Sequence, residues 1–204
     1  MARIHTTSAD NIKKLFDNNQ MKKHVIAIVT GPSAVGKTTI AKEVLRQLPN
    51  FKSTVTYTTR DKRDWAAEDK VINYVSKTKF QELIQKGQLI EWAEVYGNFY
   101  GTGKIELLET LEEFNTLLNI DVQGALNIKK NFPNCVTLFI KPDNMDDLKK
   151  RIDTRPLPKA IKAKRWVAAK WEVEQADKFD HQIINYNNQI EKTVAEILKI
   201  LTKY

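Results

Sequence analysis

Residues 31–38, "GPSAVGKT", fit the pattern G-x-x-x-x-G-K-[ST], with Gly31, Gly36, Lys37 and Thr38 in the defining places. In that pattern, successive backbone N–H groups of a turn and of the helix behind it point at one place, making a cradle for phosphate oxygens. Glycine lets the backbone approach closely. A lysine there neutralises the β- and γ-phosphates, and the hydroxyl after it takes a Mg²⁺ position. The expected cradle comprises Gly31, Pro32, Ser33, Ala34, Val35, Gly36, Lys37, Thr38 and Thr39. The chemistry it implies is the holding of a nucleoside triphosphate.

Such a loop works only between a strand and a helix, and the flanking residues supply both. "HVIAIVT" (24–30) is an apolar, β-branched run, and 37–48 has helical periodicity. Further strands are expected at 53–59, 71–75, 116–122, 135–140 and 181–185. Further helices are expected at 77–86, 103–113, 123–131, 143–153, 159–177 and 188–202. The alternation predicts an α/β fold: three layers around a mostly parallel sheet. Residues 22–54, 115–142 and 180–204 read as the core. Residues 55–104 hold short polar strands and many turns, and about 151–170 is a basic stretch interrupted by Pro156 and Pro158. Both read as insertions, a lobe and a helical lid. Residues 1–21 read as an N-terminal extension with a short helix starting near Ser8 or Asp10, its Ile12, Leu15 and Phe16 on one face.

Composition bounds the rest. The 204 residues suffice for one good core, and 42% hydrophobic with 28% charged residues is an ordinary globular balance. Thirty-three Lys+Arg against 25 Asp+Glu give a net charge of +8, which favours anionic partners, small phosphorylated molecules or nucleic acid. No long Lys/Arg block with interleaved aromatics occurs, so a nucleic-acid partner is not expected. Cys135 is the sole cysteine, which excludes an internal disulfide and fits a reducing, cytoplasmic setting. No apolar run approaches the roughly 20 residues of a membrane span, and no membrane partner is expected.

Beyond the phosphate loop the chain resembles the guanylate kinases, in unbroken order from about Val25 to Thr193. "TVTYTTRDKR" is similar to that family's "SVSYTTRPPR", and "FQELIQKGQLIEWAEVYGNFYGT" is similar to "FEEMIxxGEFLEWAEVxGNYYGT". "NIDVQGA" matches "DIDVQGA", and "EVEQADKFDHQIIN" is similar to the family's last helix and strand. The resemblance implies a P-loop core, a GMP-binding lobe at 55–104 and a lid. It implies Mg²⁺-dependent phosphoryl transfer from ATP to GMP or dGMP. Glu91, Thr102 and Asp121 would form the guanine pocket. That assignment makes chemical sense, because a carboxylate only accepts hydrogen bonds, and guanine offers donors at N1 and N2 where adenine offers an acceptor at N1. Arg60 and Arg63 would hold the acceptor phosphate, with Thr56 and Tyr100 adding hydroxyls. Arg151, Arg155 and Arg165 would join Lys37 in stabilising the transferred phosphoryl group, and Asn185 would lie near the donor adenine.

The chain departs from the family pattern in places. Ala34 replaces a loop glycine, at a cost of about 1 kcal/mol if that site needs positive φ. Asn119 replaces an acid. Ala66 and Ile72 stand where a glutamate and a phosphate-touching tyrosine are expected, and Glu68 and Tyr74 are candidate substitutes; Tyr74 lies about 6.6 Å farther along the same strand face. Pro156 and Pro158 predict a stiff lid. Two other readings accompany the enzyme: a retired module that binds a phosphorylated or acidic peptide through Arg60 and Arg63, and a same-fold kinase with another phosphorylated acceptor. Both a monomer and a homodimer are compatible with the sequence.

Overall fold

The computed structural model describes residues 24–62 and 71–204. The N-terminal helix expected within 1–21, and Arg63, Ala66 and Glu68, lie outside the described residues. Strand β1 (Ile26–Thr30) is buried along its whole length, as a central strand covered on both faces must be. It is flanked by β7 (Asn115–Asn119) and β8 (Val136–Pro142), with β2 (Phe51–Lys52) and β9 (His181–Asn185) at the edges. The order is β2-β7-β1-β8-β9, and every pairing is parallel.

Alternate residues of β1 feed different cores, because successive strand side chains point to opposite faces. Ala27 and Val29 join Ile40, Val44, Leu138 and Ile197, beneath α1 (Lys37–Gln47) and α7 (Ile190–Leu201). Ile26 and Ile28 join Leu107, Ile128 and Phe139, beneath α3 (Lys104–Glu113) and α4 (Val122–Asn131). Helices on both faces of a parallel sheet give the expected three layers.

A second sheet has the order β4-β3-β6-β5, from β3 (Thr56–Thr58), β4 (Ile72–Tyr74), β5 (Leu89–Val95) and β6 (Asn98–Gly103). It has its own apolar cluster of Phe80, Leu83, Leu89 and Trp92, with α2 (Lys77–Gln85) packed on it. Phe80 stacks on Phe99 with ring centroids 5.4 Å apart. The sequence expectation of short polar strands is corrected here. "LIEWAEV" forms a seven-residue strand whose first five residues are buried, and its first glutamate disguised that burial. The expected strand at 53–59 is shorter, Thr56–Thr58, and 116–122 ends at Asn119 because Asp121 caps the following helix. Helices α5 (Met145–Asp153) and α6 (Lys159–Glu174) follow β8, joined by the turn containing Pro156 and Pro158.

Phe139 is fully buried and packs on Phe179 at 5.2 Å between centroids. Phe139→Ala is expected to lower unfolding free energy by about 3–5 kcal/mol in urea titration. A loss under about 1 kcal/mol would contradict this packing.

Candidate active site

The parallel sheet places its chemistry at the carboxyl ends of β1 and β7. As β1 ends, the chain turns through Gly31 to Gly36 before α1 begins at Lys37. Gly36 has φ 108°, and a Cβ there would lie 2.9 Å from the Asn185 amide nitrogen, so the motif's second glycine is required sterically as well as conformationally. Ala34 has φ 70°, which places an L-residue in the left-handed region where the family resemblance implies a glycine. The Lys37 ammonium turns back to donate to the carbonyls of Gly31 (2.6 Å) and Pro32 (3.0 Å). Burial pushes its pKa down, opposed chiefly by the Glu172 and Asp121 carboxylates.

Side chains distant in sequence hold this loop. Asn185, at the end of β9, donates to the Val35 carbonyl at 2.7 Å and accepts from the Thr193 hydroxyl at 3.0 Å. Its amide is thus used inside the protein, beneath the loop. Arg151 donates to the same Val35 carbonyl at 3.5 Å and to Asn187, which sets it behind the loop. Arg165 donates to the Ser33 hydroxyl at 2.9 Å and lies over the Tyr96 ring at 4.6 Å.

Across the cleft, β5 and β6 position the second set. Glu91 is 3% exposed and accepts from the Thr102 hydroxyl at 2.7 Å. Asp121 caps α4, accepting from the backbone N–H groups of Gln123 (2.9 Å) and Gly124 (3.1 Å). Both carboxylates converge over Gly124. A Cβ on that glycine would sit 2.8 Å from a Glu91 oxygen and 3.4 Å from an Asp121 oxygen. Burial, reinforced by the Asp121 charge, pushes the Glu91 carboxyl up to about 8. Burial also raises Asp121, against the N–H bonds and Lys37 that lower it.

A cleft of about 530 Å³ joins the two sets. Ser33, Lys37, Thr38 and Thr39 line one end, and Thr56, Arg60, Glu91, Tyr100 and Asp121 line the other; Arg155 and Arg165 stand between. Ile72 is on the wall where a phosphate-touching tyrosine is expected, while Tyr74 meets Arg60, its hydroxyl 3.4 Å from the guanidinium. Three residues went unnoticed in the sequence. Gly124 makes room for the carboxylates, Tyr96 supports Arg165, and Glu172 accepts from the Ser33 N–H at 3.0 Å. The seven-residue spacing from Arg165 to Glu172, two turns along one helix face, was the available signal for the last.

Among the described residues no three His, Cys, Asp or Glu side chains gather to hold a metal alone. The Thr38 hydroxyl, with Asn119 at 3.3 Å, is an open oxygen donor beside the phosphate cradle. That set fits a hard cation that keeps its waters and takes further ligands from phosphates. Among the described residues no helix is long and apolar enough to cross a membrane.

A guanylate kinase family profile matches residues 22–204. The chain is 36% identical over 186 residues to a guanylate kinase of Prochlorococcus marinus, covering 90% of this chain and 98% of that one. It is 36% identical over 181 residues to a guanylate kinase of Thermotoga maritima, covering 88% and 86% respectively. The crystal structure of a guanylate kinase from Anaplasma phagocytophilum superposes with a TM-score of 0.72 at 31% identity, covering 88% of this chain and 85% of that one. With a lysine-bearing glycine-rich loop and the Glu91 and Asp121 carboxylates lining one cleft, the chain belongs to the guanylate kinase family.

Proposed function

We propose that the protein transfers the γ-phosphoryl group of ATP to GMP, and also to dGMP, giving ADP and the nucleoside diphosphate. The observation that carries this reading is the pair of the buried Glu91 and the half-buried Asp121, which line one cleft with the Lys37 loop. Their oxygens suit the N1 and N2 donors of guanine, and the Thr102 hydroxyl, held by Glu91, completes that wall. Arg60 and Arg63 take the acceptor phosphate in a fork geometry, with Thr56 and Tyr100 contributing hydroxyls. The loop from Gly31 to Thr39 cradles the donor phosphates. Thr38 would hold Mg²⁺, which would supply positive charge to the donor phosphates. Lys37, Arg155 and Arg165 stabilise the charge on the moving group; Arg151 acts from behind the loop, through Val35. Little covalent work falls to the protein in such a transfer, so position and charge supply the catalysis.

The lobe at 55–104 binds the acceptor, and the segment at about 151–170 closes over the donor. Both a monomer and a homodimer are compatible with this reading. A reaction between free nucleotides fits the cytoplasm. The reading as a retired interaction module is not favoured: the phosphate loop keeps Gly36, Lys37 and Thr38, and the relatives are kinases.

Two measurements test this reading. In a coupled assay, kcat/KM for GMP should exceed that for AMP by on the order of 10⁴, because the wrong base leaves the Glu91 and Asp121 carboxylates unpaired. Comparable values for AMP would refute the base pocket. The second measurement is the pH dependence of GMP affinity. Below about 8 the Glu91 carboxyl in the empty pocket carries a proton, which must leave before both oxygens can accept from guanine. Affinity should therefore rise about fivefold from pH 7 to pH 8 and about a further twofold by pH 9, a window above the phosphate pKa of about 6. Glu91→Gln should flatten that rise in calorimetric titration. A wild-type affinity constant across the window would contradict the assignment.

A further inference from the structure

Glu172 lies in the last turn of α6, and the helix buries Arg165, Ala169 and Glu172 along one stripe. Both charged ends of that stripe reach the same residue. Arg165 donates to the Ser33 hydroxyl at 2.9 Å, and the Ser33 N–H donates to the Glu172 carboxylate at 3.0 Å. Ser33 is therefore held at its side chain and at its backbone by one helix.

The next residue is Ala34, in the left-handed region at φ 70°. An alanine is strained there where glycine is not, and such strain persists only where the surroundings over-determine the backbone. The far side of Ala34 is already fixed, because the Val35 carbonyl accepts from Asn185 at 2.7 Å. On the near side the carbonyl of Pro32 accepts from Lys37 at 3.0 Å, a bond that a phosphate ligand competes for. The bonds from α6 use neither Lys37 nor the cleft-facing N–H groups of the helix start. Burying a carboxylate beside a phosphate site is costly. Here Lys37 and Arg165 offset that cost.

We propose that Glu172 is a positioning residue of the donor phosphate loop: it fixes Ser33 so that Ala34 holds the left-handed turn on which the phosphate cradle depends. This rests on the reading of that loop as the ATP site. The glycine missing at position 34 is thus replaced by a side-chain brace from a helix more than a hundred residues away in sequence.

The test is calorimetric binding of a non-hydrolysable ATP analogue and of GMP, separately, to wild type, Glu172→Gln and Glu172→Leu, each with and without Ala34→Gly. Glu172→Leu should weaken the ATP analogue about tenfold, and Glu172→Gln, which keeps an oxygen acceptor, about threefold or less. GMP affinity should stay within about twofold in both. In the Ala34→Gly background the loss from Glu172→Leu should shrink to about threefold or less, since glycine needs no brace. An undiminished affinity in Glu172→Leu, an equal loss for both ligands, or a loss of the same size with Gly at 34 would overturn the proposal. Should Glu172→Leu fail to fold, rescue of folding by Ala34→Gly supports the proposal, and a double variant that also fails to fold counts against it. Wild-type protein that binds no ATP analogue would instead remove the reading of the loop itself.

Discussion

A lysine ammonium held against two backbone carbonyls is the interaction on which the site depends. Lys37 is withdrawn from bulk water and donates to Gly31 and Pro32, so burial favours losing its proton. Glu172 and Asp121 oppose that loss by favouring its charged form, and an anion entering the cleft would favour it further. Its position follows from the fold. Strand β1 is buried on both faces, so its end is fixed by the two cores, and the loop beyond it has little freedom to wander.

The opposite end of the cleft follows a different logic. There the protein sets the buried Glu91 carboxylate beside the half-buried Asp121, a costly arrangement unless a ligand brings hydrogens to them. Thr102 and the N-terminus of α4 hold the pair in place, and Gly124 leaves space between them. Under the proposed function, the acids at one end and the half-buried cation at the other would bring a hydrogen-donating base and a chain of phosphates into one cleft. Distance and charge then do most of what the reaction requires.

Local sequence carried much of this. The loop was legible because its residue types and spacing have one chemical use, and the central strands because burial on both faces makes unbroken apolar runs. Strand β5 was hidden for the opposite reason: its buried Glu91 looks like a surface acid unless the whole segment is weighed. Glu172 and Tyr96 were missed because their importance lies in contacts across more than sixty residues of chain, to Ser33 and Arg165 respectively. For Arg151 and Asn185 the structure adds contacts that their residue types do not reveal. Their types suit phosphate and base contacts, yet in this conformation both serve the loop from behind.

The central claim is that the ammonium of Lys37 is the anchor for the group being transferred. It is tested by measuring steady-state phosphoryl transfer to GMP in Lys37→Met, beside GMP binding to the same variant. Turnover should fall on the order of 10³-fold while GMP affinity stays within about twofold, because only the donor end has lost its charge. Turnover near the wild-type rate in a folded Lys37→Met protein would contradict the account.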